Sequence, residues 1–265
     1  MNMTPSIIVE TSDHVAHVTL NRPERRNAYD GRLIAELRES FEKIAQDHSV
    51  RVVLLTGTGA AFCAGADLRW MAPDSPVSDA RAREDAEQLS AMYRAIDECP
   101  CPVIGRVNGP AFGGGVGLVA VCDIVVAADD ATFALSETRV GLIPAVIAPF
   151  LLRKAGESFL RRYCLTGEVF SASVAKQFNL VHEIVKADKL DTRVFELVEG
   201  VRHVAPQAAR DTKALFRTLL SLPESHRRPA SVEANALARL SAEAREGIRA
   251  FVAKQRPAWA PQQQE

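Results

Sequence analysis

Apolar positions along the chain follow two different periods. Val15, His17 and Thr19 alternate with Ala16, Val18 and Leu20, which predicts a half-buried strand over 14–21. A shorter run at 6–10 supplies its hairpin partner, with Thr11-Ser-Asp13 as the turn. After the polar loop Asn21-Arg-Pro-Glu-Arg-Arg-Asn27 the spacing lengthens: Leu33, Leu37, Phe41 and Ile44 fall on one helical face, and Asp30 is placed to cap that helix. Val52-Val-Leu-Leu55 is an unbroken apolar run, the pattern of a strand covered on both faces, and 103–107 and 123–128 repeat it. Between them, 79–98 reads as an amphipathic helix stopped by Cys99-Pro-Cys-Pro102. Strand, loop and helix in repetition predict α/β layering.

Beyond Pro149 the pattern is almost all helical, over 150–155, 157–165, 172–178, 189–203, 206–221, 230–243 and 244–255, with one strand at 181–185. The expected organisation is a core over 1–190, a helical region over 191–256 and a loose tail over 257–265.

Two loops between these elements are built of small residues. Gly57-Thr-Gly-Ala-Ala-Phe-Cys-Ala-Gly-Ala-Asp67 follows one buried strand, with Asp67 placed to start a short Leu68-Arg-Trp-Met71 turn. The other holds Gly113-Gly-Gly-Val-Gly117, four of the chain's 15 glycines, where a strand gives way to a helix. Glycine lets the backbone approach a ligand, and the first N–H groups of a helix have no internal partner and can be offered to an oxyanion. Close helix packing would explain the same glycines without chemistry. Neither loop is a nucleotide motif. Leu118 and Phe62 occupy the third-glycine positions of a dinucleotide fingerprint, and Gly115-Val116 follows Gly114 where a P-loop has Lys and Ser or Thr.

Composition narrows the function. The 265 residues are 47% hydrophobic and 25% charged, enough for one substantial core, and the net charge of -1 advertises neither nucleic acid nor an anionic membrane. An anionic ligand would need local cations. Arg25 and Arg26 are available, facing solvent or an anion. The first residues lack a signal-peptide pattern and no apolar run reaches membrane-spanning length, so a cytoplasmic location is expected. Five cysteines form an odd set without paired Cys-x-x-Cys spacing, and six histidines show no His-Glu-x-x-His; disulfides, structural zinc and a catalytic metal are not expected. Glu137 is a lone acid in the largely apolar segment Ser136-Glu-Thr-Arg-Val-Gly-Leu-Ile-Pro144, either a helix-start or solvent residue or a functional acid.

Taken together and in order, Leu20-Asn-Arg-Pro23, Phe62-Cys-Ala-Gly-Ala-Asp-Leu68, Val107-Asn-Gly-Pro-Ala-Phe-Gly-Gly-Gly-Val-Gly-Leu118, Cys122-Asp123, Ser136-Glu-Thr-Arg-Val-Gly-Leu-Ile-Pro144, Leu165-Thr-Gly167 and Phe251-Val-Ala-Lys254 resemble the enoyl-CoA hydratase/isomerase (crotonase) superfamily over nearly the whole chain. The resemblance implies an α/β fold, a spiral of β-β-α units followed by helices that mediate trimerisation, as a trimer or a dimer of trimers. It implies an acyl-CoA substrate, with CoA only as part of that substrate and no further cofactor. An enolate would be held by the backbone N–H groups of Ala66 and Gly114. The motif loop would place Ala64, Asp67, Leu68 and Trp70 on the substrate, with Trp70, Met71 and the 72–78 connector lining an acyl pocket; core packing is the alternative for the large side chains. Arg25 and Arg26 would meet the nucleotide, Lys254 the adenosine phosphates, often from a neighbouring subunit, and Phe251 the adenine or pantetheine.

The family's hydratases commonly use two glutamates. Glu137 matches the second, whereas the position of the first is Gly117. The local pattern is most similar to bacterial methylglutaconyl-CoA and isohexenylglutaconyl-CoA hydratase types, whose substrates carry a second carboxylate. The expectation is therefore hydration of a branched, carboxylated 2-enoyl-CoA, with a substrate carboxylate or a water in the space Gly117 leaves. An isomerase, a thioester hydrolase, a decarboxylase or a silent acyl-CoA-binding protein on the same scaffold are the alternatives.

Overall fold

The computed structural model describes residues 5–71 and 77–261. In chain order its elements are β1 (Ile7–Ser12), β2 (Val15–Leu20), α1 (Gly31–Gln46), β3 (Val52–Gly57), α2 (Leu68–Met71), α3 (Asp79–Asp97), β4 (Val103–Val107), β5 (Ala111–Phe112), α4 (Gly114–Val121), β6 (Ile124–Ala128) and β7 (Thr132–Ala134). Then follow α5 (Ala148–Ala155), α6 (Glu157–Thr166), β8 (Val169–Ser171), α7 (Ala172–Gln177), β9 (Glu183–Val185), α8 (Leu190–Arg202), α9 (Pro206–Ser221), α10 (Glu224–Leu240) and α11 (Ala242–Val252). Most of the expected 72–78 connector and the end of the expected tail lie outside the described residues.

The hairpin forms the edge of a six-stranded sheet of order β1-β2-β3-β4-β6-β9, antiparallel between β1 and β2 and parallel thereafter. Its turn is Asp13-His14, both at positive φ (47° and 67°), so β1 runs on to Ser12 where the sequence reading expected the turn. A two-residue turn of this hand matches the twist of the flanking strands.

Asp30 caps α1 as expected, its carboxylate accepting from the Leu33 N–H at 3.0 Å, and Leu33, Leu37, Phe41 and Ile44 are buried. α3 is capped by Ser78 and turns Met92, Tyr93 and Ile96 into the core. α10 starts at Glu224, ahead of the expected 230, and runs through Pro229, which cannot donate the hydrogen bond to the Ser225 carbonyl that another residue there would make.

A second sheet, β5-β7-β8, escapes the periodicity because its strands are two or three residues long. Phe133 and Phe170 stack across it at 5.6 Å. Among the described residues no helix is long and apolar enough to cross a membrane.

Candidate active site

The first small-residue loop is held to the arginine loop by a buried asparagine and by the backbone of Tyr29, and to the segment leading into the second by the Phe112 N–H, which donates to the Cys63 carbonyl at 2.9 Å. Asn27 is fully buried; its side-chain oxygen accepts from the Arg22 N–H at 2.9 Å, and its amide donates to the carbonyls of Thr58 (2.9 Å) and Ala61 (2.8 Å). The Tyr29 N–H donates to the Gly65 carbonyl at 2.9 Å and the Tyr29 carbonyl accepts from the Asp67 N–H at 2.8 Å, which brackets Ala66. Gly65 has φ 85°, and a Cβ there would stand 2.7 Å from the Phe112 carbonyl oxygen and 3.2 Å from the Gly114 nitrogen. Only glycine permits this approach. It brings the loop of Ala66 against the first turn of α4.

Neither the Ala66 N–H nor the Gly114 N–H donates to any described group. Unused N–H groups in a packed interior are rare, and the second lies at the positive end of a helix dipole. All eight residues of α4 are buried. Its other end is held by Lys154, whose ammonium donates to the carbonyls of Cys122 at 2.5 Å and Val119 at 3.3 Å.

Glu137 opens a 3-10 turn, Glu137–Val140, so the helix-start reading is correct as local structure. Its carboxyl nevertheless points inward. Oε1 lies 3.3 Å from where a Cβ on Gly113 would stand, and Oε2 is buried with no hydrogen-bond partner. Burial pushes its pKa above the usual carboxylate range, partly opposed by a hydrogen bond from its own backbone. The geometry thus places one buried carboxyl against Gly113, next to the first turn of α4 and its unused N–H.

The expected space at Gly117 does not exist. A Cβ on Gly117 would meet Ile147 Cγ2 at 2.4 Å and the Tyr93 ring at 3.0 Å. Ile147 is 3% exposed and Tyr93 is fully buried, so the chain's own apolar atoms fill the place expected for a substrate carboxylate or water, and Gly117 offers no surface to a substrate. Tyr29 and Tyr93 were not singled out by sequence. Tyr93 Oη donates to the Gly114 carbonyl at 2.7 Å and lies 3.2 Å from Tyr29 Oη.

The remaining expected residues divide. Ala64 donates its N–H to the Arg26 carbonyl at 2.9 Å, tying the motif loop to the arginine loop. Asp67 is engaged by Arg22 at 3.3 Å and accepts from the Arg69 N–H at 3.2 Å, so its carboxylate braces the loop. Arg22 also pairs with Asp30 at 3.1 Å. Leu68 is 52% exposed; Trp70 packs its indole against Gly31, 3.5 Å from the Cβ position, and against the core. Arg25 and Arg26 are exposed in their loop. Phe251 is 85% exposed. Among the described residues Lys254 makes no side-chain hydrogen bond or ion pair to the arginine loop or to α4.

Comparison with known proteins gives the family of the chain. The family model described as enoyl-CoA hydratase/isomerase matches residues 10–262. The crystal structure of an enoyl-CoA hydratase from Mycobacterium smegmatis superposes with a TM-score of 0.93 at 34% identity, covering 97% of this chain and 100% of that one. An Escherichia coli 2,3-dehydroadipyl-CoA hydratase is 32% identical over 95% of this chain and 97% of its own length. An Escherichia coli 1,2-epoxyphenylacetyl-CoA isomerase is 32% identical over 96% and 98%. With the family match spanning nearly the whole sequence, the chain belongs to the enoyl-CoA hydratase/isomerase family.

Proposed function

We propose that the chain is a lyase of the cytoplasm that hydrates a branched, carboxylated, glutaconyl-type 2-enoyl-CoA with one carboxyl group. The observation that carries the reading is the desolvated Glu137 carboxyl beside the unused N–H groups of Ala66 and Gly114. Water adds its oxygen to the β-carbon, the C=C electron pair moves onto the thioester oxygen, and that oxyanion is held by the two N–H groups, each contributing about 3–4 kcal/mol in comparable sites. Ionised Glu137 takes a proton from the water and returns it to the α-carbon. The reaction calls for no metal or redox group, and CoA enters only with the substrate.

For the acyl group, the support is the local motif around Gly114 and Glu137, together with similarity to a relative named for dehydroadipyl-CoA. Arg139, in the Glu137 turn, lies across Gly167 with its Nε 2.8 Å from the Cβ position, and its guanidinium has no hydrogen-bond or ion-pair partner among the described residues; it is an available cation for a second carboxylate. Arg25, Arg26, Phe251 and Lys254 are assigned to CoA, the last two reaching a neighbouring subunit's substrate. A screen of crotonyl-, methylglutaconyl-, isohexenylglutaconyl- and 3-enoyl-CoA tests the substrate class. The highest kcat/KM is expected on a glutaconyl-type thioester, and a preference for crotonyl-CoA would overturn it.

A double-bond isomerase is the second reading, favoured by the similarity to a named isomerase and by a chemistry that needs one shuttle only. Either reaction uses the ionised carboxyl as base. Because burial raises the Glu137 pKa, kcat/KM is expected to fall as pH drops through a value above the ordinary glutamate range. An acid limb at the ordinary value would contradict this.

Self-association into a trimer or a dimer of trimers is part of the proposal. α9 and α10 bury no residue, and Phe216, Leu220, Leu237, Leu240 and Ile248 on α9–α11 are 59–71% exposed, apolar side chains that the single chain leaves uncovered. Light scattering is expected to give a mass of three or six chains, and any other mass at assay concentration would refute it.

A further inference from the structure

The space beside Gly117 is filled by Ile147 and the Tyr93 ring, and one turn earlier, at Gly114, the Tyr93 hydroxyl meets that of Tyr29. Tyr93 comes from α3 and presses its ring on the Gly117 Cα, while Tyr29 comes from the residue before the α1 cap. A hydroxyl has one proton. Because Tyr93 Oη spends its proton on the Gly114 carbonyl at 2.7 Å, it is the acceptor in the 3.2 Å contact with Tyr29 Oη, and Tyr29 is the donor. The chain therefore runs from Tyr29 to Tyr93 to the Gly114 carbonyl. Tyr29 Oη keeps its lone pairs, with no donor to them among the described residues. That oxygen lies 1.6 Å from where a Cβ on Gly114 would stand, against the residue whose N–H is unused, and the Glu137 carboxyl flanks the neighbouring Gly113. A buried acceptor oxygen without a donor, aimed at this point, calls for a polar guest. Burial drives the pKa of both phenols up, so both stay neutral.

We infer that Tyr29 is the water-holding group of this enzyme and Tyr93 its positioning residue, the pair doing the work of the carboxyl that Gly117 lacks. This rests on the hydratase reading. The Tyr29 oxygen accepts a hydrogen bond from one O–H of the water, the other proton passes to Glu137, the water oxygen bonds to the β-carbon, and Glu137 delivers that proton to the α-carbon. The Tyr29 proton is never transferred, so atoms and charge balance through Glu137 alone. Tyr93 fixes which way the Tyr29 hydroxyl turns.

Two rates in one protein test the assignment. Hydration of the preferred enoyl-CoA requires the held water; exchange of the α-proton of its saturated acyl-CoA with D2O requires Glu137 and the N–H donors but no attacking water. Tyr29→Phe is expected to lower hydration kcat about 10²-fold while leaving KM and α-proton exchange within a few-fold, and Tyr93→Phe to give a smaller loss of the same kind. Parallel loss of both rates in a variant of unchanged thermal stability would show that the phenols only brace α4 and would overturn the role. So would hydration that survives Tyr29→Phe. If Tyr29→Phe fails to fold, the same two rates in Tyr93→Phe decide. A wild-type chain that exchanges α-protons but hydrates no enoyl-CoA would overturn the hydratase reading and this role with it, a pattern distinct from either variant result.

Discussion

Glu137→Gln is expected to lower turnover by roughly 10²–10⁴-fold while acyl-CoA affinity stays within a few-fold. Glutamine keeps the shape of the side chain but cannot shuttle a proton. No hydrogen bond of Oε2 is lost, because it has none. The fold should also survive, and the direction of its stability change is predictable. Burial raises the pKa of Glu137 in the folded chain, so the ionised carboxylate destabilises the fold as pH rises through that value, and the folded state prefers the protonated acid below it. The variant should therefore melt at or above the wild-type temperature at neutral pH, with the difference vanishing in acid. Thermal melts at the two pH values, with product formation and CoA-analogue binding, check the prediction. Full activity in Glu137→Gln would remove the proposed shuttle, and lost binding with lost stability would make the residue structural.

Gly117→Glu should fail to restore a two-carboxylate site and should damage the chain. A Cβ at this position already collides with Ile147 and the Tyr93 ring, and the rest of the glutamate would add an unpaired carboxyl to a fully buried helix. Overpacking and a buried unpaired charge are among the few mechanisms that cost about 4 kcal/mol or more in one substitution. The expected result is a loss of soluble protein, or a melting temperature many degrees lower, with hydration reduced. A soluble variant with faster hydration would mean that Tyr93 and Ile147 give way to admit an acid, and the packing account of Gly117 would be wrong.

The strands β1, β2, β3, β4 and β6, the capped helix α1 and the long α3 were legible because each carries its apolar pattern over five residues or more. The pairing of Ala66 with Gly114 was reachable as a resemblance, and the glycines at 65 and 114 mark it in the sequence by the close approach they allow. Four features were not legible. β5, β7 and β8 are too short to show alternation. The occupant of the Gly117 space comes from α3 and from Ile147, distant in sequence on either side, so its absence could be read but its replacement could not. Tyr29 reads as an ordinary aromatic before a helix cap, and its meaning depends on Tyr93, 64 residues away. The apolar faces of α9–α11 follow helical spacing whether a helix packs on its own core or on another chain, so periodicity alone cannot say which.

In the proposed reaction Glu137 carries one proton between water and the α-carbon on an enolate held by Ala66 and Gly114. The most direct measurement is the product formed from the preferred 2-enoyl-CoA in D2O by the purified wild-type protein. A 3-hydroxyacyl-CoA with a single deuterium at the α-carbon, formed in wild type and absent with Glu137→Gln, is the predicted result. A product with a shifted double bond and no hydroxyl, free CoA with a free acid, or hydration undiminished in Glu137→Gln would contradict it.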